Sequence, residues 1–435
     1  MLTVLSVTML VVISISSLLP LSNAQKTTID SASSCITYDS TDNIITITCN
    51  SASLTDVDNQ LKDANILYRE NTADADQAVW LLNAGIVVAE GSTFYINSTD
   101  TTWLKITSDK ATPRGILVSG SLKIDSVKLT SWNPETNDYI KFDVAVRPSD
   151  HKDKEKGYDY DQKLRPFIKV EEEATGTTDI TNSEIAYIGY DDEVTGGGFY
   201  GSGSSGLNYY GGNGSIIRGN EIHHNRFGFY SAGVGGIILE DNHVYDNYMY
   251  GFDPHTETYD MVIRNNTVHD SGTMGIICSL DCYNITIEDN EVYNNTDAGI
   301  MFSRNMYNSI ARNNYVHDEV IGIFVSASHN NEIYNNTVSD GGDGIYLKAE
   351  SSKNNIYDNT IINATDGILV NTGASDNTFT SNTIINATEL GINVDEDLAN
   401  NIFENNKLIN SKVAGQEEEG AGEGGDGGEG GDGGE

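Results

Sequence analysis

From residue 213 onward the chain repeats itself every 22 to 24 residues, and no other feature restricts its fold so severely. A motif Asn-X-[Ile/Val/Leu] recurs with its asparagine at 220, 242, 266, 290, 314, 336, 359, 382 and 406. A glycine followed by Ile or Phe recurs in phase with it, at 228, 251, 275, 299, 322, 344, 367 and 391. Repeats of about 20 to 50 residues signal solenoids, and the content of the unit decides which kind. Here each unit holds short alternating runs rich in β-branched and aromatic residues, such as Gly299-Ile300-Met301-Phe302, separated by Asn, Asp and Gly,. There is no helix-length apolar period and no Leu-rich consensus. The reading is an all-β fold, a right-handed parallel β-helix in which each coil must stack on its neighbours to bury a core. Coils stack about 4.8 Å apart, so the nine marked ones should span roughly 40 Å. The repeated asparagines are expected to stack, each side-chain amide bonding to the coils above and below. The repeated glycines are expected at turn positions that need φ > 0.

Upstream the period loosens while strand character persists, as in Phe94-Tyr-Ile-Asn, Gly115-Ile-Leu-Val and Phe167-Ile-Lys-Val. Residues 54–69 carry Leu54, Val57, Leu61, Ala64 and Leu67 near helical spacing and could cap the first coil,. Two stretches interrupt the solenoid, a charged loop 149–163 and a Gly-rich loop 196–214, and insertions in a solenoid often mark its binding face,. The organisation expected is a signal peptide 1–24, an N-terminal cap region 25–75, a parallel β-helix 76–412 and a disordered acidic Gly-rich tail 413–435,.

The signal-peptide reading rests on the apolar run 3–22 followed by Asn23-Ala24-Gln25; retained, the same run would be a membrane anchor,. The protein is therefore expected to be secreted or at the cell surface. Cys35 and Cys49 flank a hairpin-like stretch and suit a disulfide outside the cell, whereas Cys278 and Cys282 read as a disulfide or as packed thiols,. The formal charge of −39 excludes nucleic acid and acidic membrane as partners, and −31 remains once the eight acids of 416–435 are set aside,. Any polyanion must then be met by a local basic cluster. No Gly-Gly-X-Gly-X-Asp nonapeptide occurs, so neither a metal nor another cofactor is assigned, and the chain is read as a monomer.

One coil departs from its siblings, at Tyr250-Gly251-Phe252-Asp253-Pro254-His255. Where other coils place an apolar or small residue after the glycine, this one places an acid, a proline and an imidazole. Proline cannot donate a ladder hydrogen bond, so it marks a local break in the pairing, and breaks of local rules tend to be functional. In an extended segment Asp253 and His255 share a face about 7 Å apart, and a turn at Gly251 would swing Tyr250 toward it. Counting from the aligned glycines puts Tyr230 level with Asp253, and Ser279, Ser303 and Ser326 in line beyond His255, with Arg304 just after Ser303. Arg226, Arg218 and Arg264 are expected at the rim. A column of polar and aromatic groups suits an extended sugar chain, whose hydroxyls need hydrogen-bond partners and whose ring faces need platforms.

The hexapeptide 250–255, followed by Asn266-Thr-Val-His269-Asp270 and Gly275-Ile-Ile, resembles the active-site region of mannuronan C5-epimerases, right-handed β-helix enzymes acting on alginate. The close match covers about 80 residues, from Asn225 to Asn305. The resemblance implies that Tyr250 and His255 act as an acid/base pair and that Asp253 is catalytic. It also implies an arginine on a following coil, but the matching position is Leu280 by one alignment and Asp297 by another. Arg304 is the nearest substitute and Arg226 the second, and Tyr230 and Ser279 complete the expected substrate-binding set. The function expected is C5 epimerisation of an acidic polysaccharide such as mannuronan. A lyase on the same scaffold and a non-catalytic carbohydrate-binding surface protein are the alternatives.

Overall fold

The computed structural model describes residues 34–70, 77–108, 114–141, 164–190, 205–371, 373–395 and 400–412. The expected signal peptide, the charged loop 149–163 and the acidic tail lie outside them. The described strands form three long sheets of 14, 13 and 14 strands, here A, B and C, visited in turn so that each circuit of the chain adds one strand to each sheet. The described strands pair in parallel except in two hairpin-like contacts near the start, Ile36–Asp39 with Ile44–Ile47 and Leu67–Arg69 with Val79–Leu82; outside the strands a single antiparallel bridge joins Asn133 and Asp138. This is a right-handed parallel β-helix.

Apolar columns drive the stacking. Ile263, Ile287, Ala311 and Ile333 lie one above the next inside sheet B, as do Val244, Val268, Val292 and Val316 inside sheet C, all fully buried. Burial of such side chains contributes about 1.5–3 kcal/mol each. The asparagines set the register. The Asn290 side-chain N–H donates to Asn314 Oδ1 at 3.0 Å and to the Ile263 carbonyl at 2.9 Å, while its backbone N–H donates to the same Asn314 oxygen. This pattern runs unbroken from Asn220 to Asn406. A second amide ladder, Asn331–Asn354–Asn377–Asn401, runs along another corner and was not read from the sequence.

The glycine expectation is corrected. None of the eight repeated glycines has positive φ; a Cβ on Gly251 would sit 2.5 Å from the Gly275 carbonyl oxygen and 2.5 Å from Val268 Cγ1. They are glycines because consecutive coils close to contact there. Left-handed positions lie elsewhere in each coil, among them the residues just before the ladder asparagines (Asp241, Asn265, Asp289, Asn313, Asn335, Asp358, Ser381 and Asn405), with φ between 54 and 58. Asn and Asp tolerate that region best among residues with a Cβ.

The helix is shorter than its pattern. It covers Leu54–Leu61, opens on a capping box between Ser53 and Asp56, and ends at Lys62 in the left-handed region, so Leu67 belongs to a strand instead. A Cys35–Cys49 disulfide ties the hairpin beside it, while Cys278 and Cys282 are free buried thiols. The Gly-rich stretch is not all loop, because Gly206–Tyr209 forms a strand of sheet A between Phe167–Val170 and Phe227–Ala232. Among the described residues no helix is long and apolar enough to cross a membrane.

Candidate active site

The departing coil supplies Phe252–His255, the eighth of fourteen strands in sheet A. Alternation sends Phe252 and Pro254 inward and Asp253 and His255 outward,. Pro254 leaves the expected gap: toward the next strand Phe252 pairs with Ile276 and His255 with Ser279, with no pair between them. Tyr230 pairs with Asp253, and Ser279, Ser303 and Ser326 follow His255 in one column. Tyr230, Asp253 and His255 open onto a cleft of about 490 Å³ lined also by Arg226, Tyr250 and Arg304, among others, whereas Ser279, Ser303 and Ser326 are not part of its lining.

Each member has a defined protonation state. One terminal N–H of the Arg304 guanidinium points at His255 Nε2 at 3.1 Å, so Nε2 accepts and carries the lone pair,. His255 Nδ1 lies 2.7 Å from Thr256 Oγ1 and is then the protonated nitrogen,. Burial, reinforced by the Arg304 charge, pushes the imidazole down to about 4, so it is neutral near pH 7. Asp253 is 2% exposed and its Oδ1 has no hydrogen-bond partner. Burial raises its carboxyl well above the usual range, against the pull of Arg304. Tyr250 is raised too, chiefly by burial and then by Asp253, so its phenol stays protonated. Its ring packs edge-on against Phe227 at 4.9 Å.

Arg304 occupies the cleft because its backbone turns there. It has φ 49 at the end of Ala298–Ser303, and its Nε donates to Ser279 Oγ at 3.1 Å, fixing the guanidinium beside His255. Arg226 lies across the cleft with its guanidinium 5.2 Å from the Phe227 ring centre. Two expected rim residues are elsewhere: Arg218 and Arg264 end strands of sheet B and both clamp Glu240 there. The charged column of sheet B and the cleft of sheet A have the same 22-to-24-residue period, which is why sequence proximity misplaced them. Thr256 was missed; at φ 29, a conformation rare for a β-branched residue, it turns the chain just after His255 and holds the ring,. An outward apolar column was missed as well. Ile277, Met301, Phe324 and Tyr346 continue along the outside of sheet A from the level of Asp253, with Lys348 4.7 Å over the Phe324 ring.

The cleft does not suit a metal cation, since the lone pair of its one imidazole already faces a guanidinium. Among the described residues no group of three or more His, Cys, Asp or Glu side chains forms a ligand set.

The fold and this cleft define a parallel β-helix with an acid–base constellation exposed on one sheet. The family described as "Periplasmic copper-binding protein (NosD)" matches residues 172–365 and 322–422, more than half of the chain, and the protein belongs to that family. No curated protein matches the sequence. Solved structures do resemble it. The periplasmic alginate epimerase AlgG is 19% identical, with a TM-score of 0.70 over 84% of this chain and 85% of that one. The A-module of the mannuronan C-5 epimerase AlgE4 of Azotobacter vinelandii is 15% identical, with a TM-score of 0.53 over 75% of this chain and 89% of that one. At these identities the likeness establishes the β-helix fold.

Proposed function

We propose that this exported β-helix is a polysaccharide-modifying enzyme that inverts C5 of uronate residues in a polymer such as mannuronan. The observation that carries the reading is the single cleft holding a neutral His255, a protonated Tyr250, a buried Asp253 and the Arg304 guanidinium. The alginate epimerase AlgG and the mannuronan C-5 epimerase AlgE4, which share the fold, support the same choice of reaction. The C5 proton of a uronate is hard to remove because the neighbouring carboxylate resists further negative charge, so that charge must be neutralised first. Arg304 is the group for this task, and a protonated Asp253 would donate a hydrogen bond to the same carboxylate. Drawing the guanidinium onto the substrate also releases His255 Nε2, so substrate binding itself unmasks the base. His255 Nε2 then takes the C5 proton on one face of the ring. The Tyr250 hydroxyl delivers its proton to the carbanion on the other face, and solvent restores both groups. If the carbanion instead expels the C4 oxygen, the outcome is a lyase.

The column Ile277, Met301, Phe324 and Tyr346 supports an extended substrate, offering apolar surface for sugars beyond the reacting one,. Because a guanidinium faces the lone pair that a metal would need, the cleft does not fit the copper of the family's description. The test is proton NMR of polymannuronate incubated with the protein in deuterated water. Epimerase activity would exchange C5–H for deuterium and produce guluronate without creating a double bond. Exchange accompanied by ultraviolet absorbance from an unsaturated sugar end would make the protein a lyase, and binding without exchange would leave it a carbohydrate-binding surface.

A further inference from the structure

The outer face of sheet A carries another cation beyond the cleft. Lys348 ends the strand Asp343–Lys348, and its column runs back through Ser326, Ser303 and Ser279 to His255. Several lysines of this acidic chain sit on carboxylates, as Lys105 on Glu70, Lys128 on Glu184 and Lys169 on Glu171. Among the described residues no carboxylate forms an ion pair with Lys348. Its ammonium lies on aromatic rings instead, 4.7 Å from the Phe324 centroid and 5.5 Å from that of Tyr346. Phe324 belongs to the preceding strand, so the charge is carried over the coil on the cleft side. We propose that Lys348, with Tyr346 and Ser326, forms a distal subsite for the carboxylate of a second uronate residue of the same sugar chain.

Spacing, donor chemistry and charge each point to this ligand. Ile277, Met301 and Phe324 are successive members of one outward column, and the strand of Phe324 stands three coil steps, about 14 Å, from that of Asp253,. A pyranose in an extended 1,4-linked chain advances by close to one such step. A chain laid along the face therefore brings to Lys348 the carboxylate of a residue about three places from the reacting one. The donors there are built for a sugar acid. Asn371 Nδ2 donates to the Tyr346 hydroxyl oxygen at 2.9 Å, which leaves the phenolic proton to be donated outward,. Ser326, level with Lys348, adds a second hydroxyl. The Phe324 and Tyr346 rings, stacked at 5.0 Å and 12°, form the apolar floor that the C–H groups of a sugar require,. Contact with ring faces holds the ammonium in place without cancelling its charge, as a carboxylate partner would. A polyanion crossing a molecule of charge −39 needs positive charge at intervals, and Ile277 and Met301 between the cleft and Lys348 supply none.

The subsite rests on the reading of the cleft as a polyuronate site, and its test separates the two. The full chain is titrated by calorimetry with oligomannuronates of defined length, from trimer to octamer. Affinity of the wild type should rise about fivefold once the oligomer is long enough to span from His255 to Lys348. Lys348→Gln should abolish that rise while leaving the affinity for the trimer unchanged, Lys348→Arg should keep it, and Tyr346→Phe should reduce it about twofold. Lys353→Gln, which removes the same charge at the corner between this strand and the next one of sheet B, should change nothing. A rise that survives in Lys348→Gln, an equal loss at every length, or failure of the wild type to bind any oligomer would overturn the subsite. C5 exchange in the same mixtures decides the reaction separately. A Lys348-dependent rise without exchange keeps the subsite and removes the epimerase, and exchange with a rise independent of Lys348 does the reverse.

Discussion

At the scale of single residues, the cleft is defined by which groups are kept uncharged. His255→Ala and Tyr250→Phe should each reduce C5 exchange 100-fold or more, the ordinary worth of a positioned acid or base, with the far-ultraviolet spectrum unchanged. Retention of a tenth of the activity by either variant would remove it from the reaction. The depressed imidazole also sets a pH profile. Since only neutral His255 can accept a proton, kcat/KM for the free enzyme should fall on the acid side near pH 4 and not near the ordinary histidine value,. Replacing Arg304 by Gln removes a charge that lowers His255, so that limb should move to higher pH while KM for the polymer rises. Asp253 makes the opposite contribution to stability. Its folded value is raised above the unfolded one, so whatever stability it confers is present at low pH and is lost as pH rises through its folded value,. Asp253→Asn should therefore raise the melting temperature at pH 7–8 while cutting activity by at least 100-fold. A lower melting temperature would mean that the carboxylate is better accommodated than its burial implies.

At the scale of the coil, two kinds of substitution separate the forces that hold the stack. Asn290→Ala removes four buried hydrogen bonds made by its side chain or to it, at a net worth of about 1 kcal/mol each, and orphans groups on both neighbours,. A loss of about 4 kcal/mol in denaturant unfolding is expected. Gly275→Ala drives a methyl to 2.6 Å from Val292 Cγ1 and 2.9 Å from the Gly299 carbonyl, an overpacking cost of about 1–3 kcal/mol,. Were the glycines needed for positive φ, Gly275→Asn would be tolerated far better than Gly275→Ala; here it should be worse. This coil-level physics also explains what the sequence disclosed. One buried amide per circuit can be replaced by little else, so Asn220 to Asn406 announce the period and the register. That register alone brings Tyr230 level with Asp253 and Ser279 level with His255, with Arg304 one residue past the same column. The glycine contacts stayed hidden because they depend on the distance between two coils, and Thr256 stayed hidden because nothing local distinguishes a threonine that turns a chain. The burial of Asp253 was not legible either, since the cover over an outward strand position depends on side chains from its own and other coils, here Tyr230, Tyr250 and Arg304 lining the same cleft.

For the whole molecule, the charge of −39 and a polyanionic substrate are in conflict, relieved only locally by Arg304 and Arg226. Exposed charges are screened beyond about 10 Å at 0.1 M salt, so added salt should quiet the distant acids before it weakens contacts inside the cleft. Between low and physiological ionic strength kcat/KM on a polyuronate should therefore rise, the reverse of the trend for a basic enzyme steering an anion. A monotonic fall from the lowest salt would mean that the cleft's own field dominates at long range.

The place of the reacting coil along the stack has one more consequence. Its strand is the eighth of fourteen in sheet A, so it is insulated from either terminus by at least six others. A solenoid melts like a zipper, fraying from its ends inward, since each unit is held only by the two it touches. A coil with a pairing gap at Pro254 and an unbonded carboxyl at Asp253 is a weak tooth, and near a terminus it would open first. In mid-stack it is the last to feel the fraying, so catalysis should outlive the loss of the outermost coils on warming.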